Sequence, residues 1–338
     1  MKRVIVVLLV LTCMVGMVFA KGEQQTGAAY PTRPLLMIIP FGPGGATDQL
    51  ARKVQPVMEQ VLGRPIAAQN MPGGATSLGN QYVFDQPHDG HTILAQPTDI
   101  VSIAVMGQSK LTYNDWSFIG IGVAVPTAFV VHPNSPIKTI EDLAATMKDK
   151  QLTAAVADSG CAWTRAVGLF SETLNLKRPQ LVPSGGGYNA AVSAMRQEVD
   201  FAACGLAECI ELVRGGELKA LAYWGYEDFP IGTSKIPTLG NKYPALKRYE
   251  PFGGWAGLAV PKGTPQNIVN ILIDAFKQAT QAQEFKDFCT KSSFIFVGKY
   301  GPDADAHAKE STSVNAYLLY DMGFTKTDPA TVGIQRLK

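Results

Sequence analysis

The chain has 338 residues, 46% of them hydrophobic and 17% charged, which is the composition of a globular protein large enough for two domains. Its formal net charge is +2. Removing Lys2 and Arg3 from the 30 basic residues leaves 28, equal to the 28 acidic residues, so a chain without its N-terminus is neutral. A neutral chain without a basic stripe is poorly suited to bind phosphate backbones, and we predict no nucleic-acid partner.

Residues 1–20 have the three-part pattern of a secretory signal peptide. Two basic residues precede an apolar run over residues 4–19, and the small residue Ala20 is followed by polar residues. The run is short for a membrane span and ends at a small-residue site, so we predict export and cleavage after Ala20. Cys13 leaves a lipid anchor as a minor alternative. Residues 21–32 are then a polar tether.

The first pattern after the tether is a strand that runs through a glycine turn into a helix. Residues 35–39 are all apolar, which is typical of a parallel strand covered on both faces. Apolar residues at helical spacing then extend over residues 50–62, with Thr47 or Asp48 as the candidate cap. Backbone N–H groups at a helix N-terminus point outward and attract an anion. We therefore predict an anion-binding turn at residues 41–48.

A second glycine turn of the same type lies at residues 73–77, between a predicted strand (residues 65–70) and a predicted helix (residues 78–84). For an isolated glycine pair, a tight connection between two elements would be the simpler interpretation. Two such turns in one half of the chain favour a shared binding site. We predict that this site holds a small carboxylate.

The alternation of strands and helices continues, which predicts an α/β protein in which each lobe is a mostly parallel sheet flanked by helices. Lobe I is discontinuous (residues 33–122 and 226–338), and lobe II is inserted (residues 123–225). Apolar runs connect the two lobes at 119–131 and 218–224. The other predicted strands are 92–95, 152–157, 180–183, 199–205 and 254–261, and the other helices are 139–147, 165–174, 188–196, 282–290, one beginning at Pro265 and one after Pro302.

Eight motifs follow one another in an order that resembles a single receptor family. They are residues 30–34 (YPTRP), 40–48 (PFGPGGATD), 62–65, 70–74, 89–94, 182–183, 215–222 and 255–265. Together they are similar to the receptors of tripartite tricarboxylate transporters, the Bug or TctC-like proteins, over nearly the whole chain after residue 20. The resemblance implies a two-lobed periplasmic-binding-protein fold, type II-like, and a location in the periplasm.

This resemblance also implies the function of a solute-binding receptor. Such a receptor captures a small organic mono-, di- or tricarboxylate between its lobes by Venus-flytrap closure. It then delivers the ligand to a membrane permease of a large and a small subunit. We expect a monomer without a cofactor. Two alternatives stay open, a ligand-loaded adaptor for a membrane sensor kinase and an exported enzyme that uses Cys161 or Asp158.

The resemblance implies that both lobes contribute turns to the ligand site. In lobe I, two glycine turns grip one carboxylate through backbone N–H groups and ordered waters. These turns contain Phe41, Gly44, Gly45, Ala46, Thr47 and Asp48, followed by Gly74, Ala75, Thr76 and Ser77. In lobe II, the contributing segments are the turns at residues 159–164 and 184–186 and the strand end near Cys204. The residues expected to contact the ligand there are Ser159, Gly160, Cys161, Trp163, Ser184, Gly185 and Cys204.

The sequence departs from the family's usual pattern at positions that face the ligand. Thr76 and Ser77 add two hydroxyl donors to the second turn. Ser184 and Gly185 replace a common Tyr-Lys pair, which removes a cation, and Thr164 stands where a histidine is frequent. These departures leave the carboxylate grip in place, but they change the expected chemistry at the far end of the ligand.

Several residues have a structural interpretation beside a functional one. Arg165 is either a counter-charge for a second ligand carboxylate or a solvated helix residue, and Trp163 either lines the pocket or packs between the lobes. His88 and His91 flank Asp89 without a third convincing ligand, so we predict no metal site. No Cys/His pair is arranged for catalysis, so we predict no catalytic residue.

The cysteines leave the redox question open. Four remain after residue 20, and their spacing matches no metal motif. An exported protein permits a disulfide bond without requiring one, so buried thiols and bridged pairs are both consistent with the sequence. The four are Cys161, Cys204, Cys209 and Cys289.

Overall fold

The computed structural model describes residues 30–337. It divides into two compact units, Met1–Thr32 and Arg33–Lys338, and the description below concerns the second. The predicted signal peptide and its alternative, the lipid anchor at Cys13, lie outside the described residues. None of the helices described combines the length and the apolar character that crossing a bilayer requires.

Twelve strands are present in the described part of the chain, and ten of them form one continuous sheet. Two short strands, β9 and β10, pair with each other in a separate hairpin. The strands are β1 (Leu35–Ile39), β2 (Ile66–Asn70), β3 (Thr92–Pro97), β4 (Trp116–Val131), β5 (Thr153–Val156), β6 (Gln180–Pro183), β7 (Phe201–Gly205), β8 (Lys219–Tyr223), β9 (Phe229–Ile231), β10 (Ser234–Ile236), β11 (Gly253–Pro261) and β12 (Ile295–Tyr300).

Helices connect most of these strands, and short 3₁₀ segments complete several turns. One of the 3₁₀ segments, Thr98–Val101, follows β3 directly. The α-helices are α1 (Ala46–Leu62), α2 (Ser77–Phe84), α3 (Ile140–Asp149), α4 (Ala162–Thr173), α5 (Gly187–Met195), α6 (Leu206–Arg214), α7 (Leu239–Lys242), α8 (Gln266–Gln281), α9 (Gln283–Lys291) and α10 (Pro302–Asp321).

The long strand β4 belongs to two parts of the sheet. Its residues 116–126 pair antiparallel with β11, and β12 pairs with the same stretch. Its residues 127–131 pair antiparallel with β7 and β8. We call the part with β1, β2, β3, β11 and β12 the first sheet half, and the part with β5, β6, β7 and β8 the second. The predicted lobe boundaries lie close to this change of partners, but they stay a prediction.

The parallel pairings lie away from β4. In the first sheet half β1 pairs with β2 and β3, and in the second half β5 pairs with β6 and β7, all in parallel. Each half has its own cluster of buried apolar side chains. One cluster contains Ile38, Leu94 and Ile121, and the other contains Val130 and Ala155. The turns that were predicted to bind the ligand follow β1, β2, β5 and β6. They therefore lie at the carboxyl ends of parallel strands.

Local sequence signals account for several element ends. Gly63 adopts φ 66° as the C-cap of α1, a left-handed conformation that favours glycine. Thr139 and Asp142 form a capping box at the start of α3. In β4, a Cβ atom on Gly120 would lie 2.7 Å from the Phe276 ring, so the glycine lets α8 approach the sheet closely.

The structure also contains elements that the sequence analysis did not predict. These are the helix α6, the edge strand β12 and the hairpin of β9 and β10. The four cysteines of the described residues are free thiols, which settles the alternative that the sequence left open. Cys204, at the end of β7, is fully buried in the apolar cluster of the second sheet half.

Candidate functional site

Turns from both sheet halves meet around one small cavity of about 30 Å³, which we call the site cavity. Of the predicted ligand residues, it is lined by Phe41, Gly45, Ala46, Thr47, Cys161 and Trp163. Trp163 thus lines the pocket, one of its two predicted interpretations. Ala162 and Gly186, which belong to the predicted lobe II turns, line it too. The lining also includes residues that the sequence analysis did not select, namely Pro97, Thr98, Asp99, Val125, Ala157, Gly187, Glu208, Gly254 and Trp255.

The N-terminus of α1 is occupied by a carboxylate of the chain itself. Gly45 is the N-cap and has no side chain to cap the helix. Instead, Ala46 N donates to Glu208 Oε1 at 3.1 Å, and Gly205 N donates to Glu208 Oε2 at 2.7 Å. Glu208 comes from α6 in the second sheet half, so one carboxylate joins two helix N-termini across the cavity. Glu208 Oε1 thus takes the position at the α1 N-terminus where the glycine turn was predicted to bind an anion.

The surroundings of Glu208 raise the pKa of its carboxyl group. Burial raises the pKa of its carboxyl to about 7, although the bonds from Gly205 and Ala46 act in the opposite direction. Gly187, the first residue of α5, packs against the same group, because a Cβ atom there would lie 1.8 Å from Glu208 Oε2. A larger residue at this position would displace the carboxylate.

Asp48 has a structural role beside the cavity rather than in its wall. Its Oδ2 accepts from Gly44 N at 2.9 Å, which fixes the first glycine turn. Its Oδ1 accepts from Arg52 and from Asn70 at the end of β2, both at 2.9 Å. Gly44 adopts φ 81°, so the turn needs glycine there. Gly44 and Asp48 shape the turn, while Gly45, Ala46 and Thr47 face the cavity.

Asp158 fixes the turn that precedes α4. Asp158 Oδ1 accepts from Gly160 N at 2.8 Å, and its backbone carbonyl accepts from Thr164 Oγ1 at 2.5 Å. Arg165 Nη1 donates to the Gly160 carbonyl at 2.6 Å. Arg165 has no exposed surface, so the interpretation of this residue as a solvated helix position is wrong. Its charge lies under the cavity instead.

Of the two acidic residues that line the cavity, Asp99 accepts fewer hydrogen bonds than Glu208. It lies on the 3₁₀ segment after β3 and is only 6% exposed. Within the described residues, its Oδ1 has no hydrogen-bond partner. Burial and, to a lesser extent, the nearby charge of Asp158 raise the pKa of Asp99 to about 8, although the charge of Arg165 acts against both.

Asp99, Asp158 and Cys161 form a group whose potential ligand atoms lie within 4.8 Å of one another. A divalent metal would need the Cys161 thiolate as a ligand. Burial raises the pKa of this thiol to about 12, and the charges of Asp158 and Asp99 also raise it. The buried guanidinium of Arg165 adds a positive charge beside the group. The chemistry of this donor set therefore fits neither a metal site nor an activated cysteine.

The second glycine turn lies outside the lining of the site cavity. Ala75 and Thr76 adopt φ 49° and 81°, so the turn is held in a left-handed conformation that few residues adopt. The Thr76 side chain is buried, and its Oγ1 accepts from Asn80 at 3.2 Å. Gly74 and Ser77 complete this turn. The contact of these residues with a ligand stays a prediction.

The other predicted residues of lobe II also lie behind the lining. Ser159 Oγ accepts from Gln108 at 3.4 Å, a contact between the segment after β3 and the α4 turn. Ser184 and Gly185 follow β6, and their amides donate to carbonyls at the end of β5 at 2.9 Å. Their neighbours Gly186 and Gly187 line the cavity in their place.

A larger cavity of about 560 Å³ adjoins the site cavity, and we call it the outer groove. The two share Val125, Gly254 and Trp255 as walls. Apolar side chains dominate the outer groove, and exposed Tyr226 and Val314 lie at its surface. The helix N-termini and the buried acidic groups face the smaller cavity, so we take that cavity as the candidate site.

A family model described as "Tripartite tricarboxylate transporter family receptor" matches residues 50–312. The chain belongs to this family. The receptor is 26% identical to Protein BugT of Bordetella pertussis over 262 residues, which cover 75% of this chain and 78% of BugT. The resemblance stated from the motifs is thus confirmed.

Solved structures agree with this receptor in fold. The periplasmic binding protein BugD matches it with a TM-score of 0.80 at 24% identity, over 88% of this chain and 99% of BugD. MatC from Rhodopseudomonas palustris, solved with bound malate, matches with a TM-score of 0.76 at 24% identity, over 86% of this chain and 100% of MatC. The predicted periplasmic-binding-protein fold of the α/β class is confirmed.

Two acidic residues of the cavity wall, Asp99 and Glu208, were not predicted from the sequence, although each has a weak sequence signal. Asp99 follows β3 directly, at the carboxyl end of a parallel strand where ligands bind in open α/β sheets. Glu208 stands three residues after Gly205, at the position of a capping-box glutamate. No sequence signal placed Glu208 against Ala46, because that contact depends on how the two sheet halves face each other.

Proposed function

We propose that this receptor is exported, captures a small organic carboxylate between its two sheet halves and delivers it to a membrane permease of a large and a small subunit. The observation that carries the proposal is the convergence of helix N-termini from both halves on one cavity. The N-termini of α1, α4 and α5 all contribute to the lining. Their N–H groups and dipoles favour negative charge.

Closure of the two halves on the ligand is part of this proposal. A cavity of about 30 Å³ has the room of roughly one water molecule, which is far less than a four-carbon dicarboxylate needs. Two contacts between the halves, Ala46 to Glu208 and Gln49 to Ala207, would have to separate for a ligand to enter. A ligand that binds the closed form more tightly than the open form then drives closure.

The receptor acts by binding and not by catalysis. The pKa of Cys161, raised to about 12, keeps the thiol protonated, so it is a poor nucleophile. Asp158 bonds to Gly160 N at the start of α4, which gives it a structural task. Release of the ligand without chemical change is therefore the expected outcome of each cycle.

Calorimetry with malate, citrate and the uncharged diamide of malate tests the carboxylate proposal. We expect binding with one ligand per receptor for at least one of the acids and none for the diamide. Equal binding of malate and its diamide, or turnover of the bound acid, would contradict the proposal. Uptake into vesicles that hold the two permease subunits tests delivery, and uptake that is independent of added receptor would contradict it.

A pair of variants at Gly45 tests where the carboxylate binds. Gly45 has φ −69° and ψ 164°, which any residue can adopt, so a side chain there is compatible with the fold. Gly45→Asp adds a negative charge at the cavity wall, and we expect at least a tenfold loss of affinity. Gly45→Asn has the same size without the charge and should lose much less. Equal losses of affinity in the two variants would show that the size of the new side chain, and not its charge, weakens binding.

A further inference from the structure

The wall of the site cavity is rich in buried acidic groups. Asp99 and Glu208 line the cavity, and Asp158 lies directly behind it beside Cys161. Arg165 is the one fully buried lysine or arginine in the described part of the chain. The cavity region thus contains three buried carboxyl groups and one buried cation.

Only Glu208 is satisfied on both oxygens by the backbone, because it accepts from Ala46 and Gly205. Asp158 accepts from Gly160 on Oδ1, while its Oδ2 has no hydrogen-bond partner among the described residues. Glu208 lies at the N-terminus of α1, and Asp158 lies in the turn that precedes α4. The anion positions that the sequence assigned to the ligand are therefore filled in part by the chain's own side chains.

Asp99 differs from Glu208 in having an unpartnered carboxyl oxygen, and from Asp158 in lining the cavity. Its Oδ1 has no hydrogen-bond partner among the described residues, its side chain is more than nine-tenths buried, and it lines the cavity. Arg165 donates to the Gly160 carbonyl, and its Nε and Nη2 also have no partner in the described structure. A buried polar oxygen without a donor is costly, and it indicates a partner that comes from outside the chain.

We propose that Asp99 binds a protonated amino group of the ligand, so that the receptor selects amino-substituted carboxylates over their unsubstituted counterparts. This inference rests on the proposed function, because it names a second group on the same carboxylate ligand. An ammonium group donates charge-assisted hydrogen bonds to a carboxylate, which suits an acidic wall. The ligand carboxylate then faces the N–H groups of the helix N-termini, and the ammonium faces Asp99.

The proposal predicts a characteristic coupling between binding and pH. The groups that face Asp99 are Asp158, Cys161, Arg165 and Glu208, and burial together with the two acids raises the pKa of Asp99 to about 8. Below that pH, Asp99 must lose its proton before it can pair with an ammonium group. Affinity for an amino-substituted ligand should therefore rise about 50-fold between pH 6 and pH 8, with release of about one proton per ligand near pH 7.

The direct test compares ligands of one carbon skeleton. Succinate, malate and aspartate differ only by a hydrogen, a hydroxyl or an ammonium at one carbon, and adipate and 2-aminoadipate form a longer pair. We expect calorimetry of the purified receptor at pH 8 to show at least tenfold tighter binding for the amino member of a pair. Titrations in two buffers with different ionisation enthalpies measure the proton release.

The variant Asp99→Asn assigns the effect to this residue. The two side chains have the same shape, and we expect the ratio of the two dissociation constants, amino-substituted to unsubstituted, to rise from about one tenth or less to about one. Asp85→Asn, an exposed aspartate that accepts from Gln81, is the matched control and should keep the ratio. The pH dependence of the unmodified receptor tests the proposal without any variant.

The outcomes separate this inference from the proposed function. Equal or tighter binding of succinate or adipate, with no proton released, would overturn the ammonium site and leave the carboxylate function intact. Tight binding of butane-1,4-diamine with no binding of any carboxylate would support an ammonium at Asp99 and overturn the proposed function. Failure of every ligand that carries a carboxylate or an amine would overturn both.

Discussion

The buried carboxyl of Glu208 gives a prediction whose size follows from the structure. Its pKa is raised from 4.5 to about 7 because the group is fully buried in the folded protein. A carboxyl with a raised folded-state pKa keeps its proton longer in the folded protein than in the unfolded chain. Its contribution to the free energy of unfolding is therefore present below pH 4.5, declines as the pH rises to about 7, and is constant above that.

The variant Glu208→Gln removes this titration. A shift from 4.5 to about 7 corresponds to about 3 kcal/mol at saturation, of which about 2.5 kcal/mol falls between pH 5 and pH 8. The free energy of unfolding of the unmodified receptor should thus drop by about that amount relative to the variant over this pH range. Loss of the Glu208 charge also lowers the pKa of Asp99, and this change acts in the same direction.

The assay is urea unfolding of both proteins at half-unit intervals from pH 5 to pH 8. Glu211→Gln is the matched control, because Glu211 lies on the same helix α6 but is exposed and bonds to Arg214. Its pH profile should follow that of the unmodified receptor. Parallel profiles for Glu208→Gln and the unmodified receptor would refute the reasoning that Glu208 is buried with its proton at pH 6.

Three further substitutions test the packing around the site and the fold. Gly187→Ala brings a Cβ atom to 1.8 Å from a Glu208 oxygen, so urea unfolding should show a loss of about 1–3 kcal/mol that mostly disappears in a Glu208→Ala background. Phe276→Ala leaves a cavity over the sheet, and calorimetric melting should report a loss of about 3–5 kcal/mol. Thr139→Ala removes the oxygen that accepts from Asp142 N, and a loss of about 1 kcal/mol is expected that Thr139→Ser restores.

The elements that the sequence predicted are those with short-range signals. The strand Leu35–Ile39 is a run of apolar residues, Gly63 ends α1 in a left-handed conformation, and Thr139 begins α3 with a capping box. Each of these signals lies within a few residues of the element that it defines. Such signals also placed the first glycine turn at the cavity.

The features that the sequence did not predict depend on contacts between distant residues. The bond from Ala46 to Glu208 spans 162 positions, and no local pattern reports it. Arg165 is buried because α4 packs its first turn against the segment after β3, although arginine in a helix is usually solvated. β12 was missed because only its pairing with β4 makes residues 295–300 a strand.

An acidic side chain of the protein itself bonds to helix N-termini at the site, and this changes which ligands the site favours. Glu208 bonds to Ala46 N at the start of α1 and to Gly205 N at the start of α6, so these two backbone donors already have an acidic partner. A ligand carboxylate must therefore compete with Glu208 at α1. In the described contacts no acidic side chain bonds to the first backbone N–H groups of α4 or α5, although Glu208 packs against Gly187. Above about pH 8, where Asp99 and Glu208 are ionised, their repulsion penalises each further negative charge, whereas a ligand ammonium group at Asp99 offsets it. A strongly anionic tricarboxylate should accordingly bind worse to this receptor than a zwitterion of similar size.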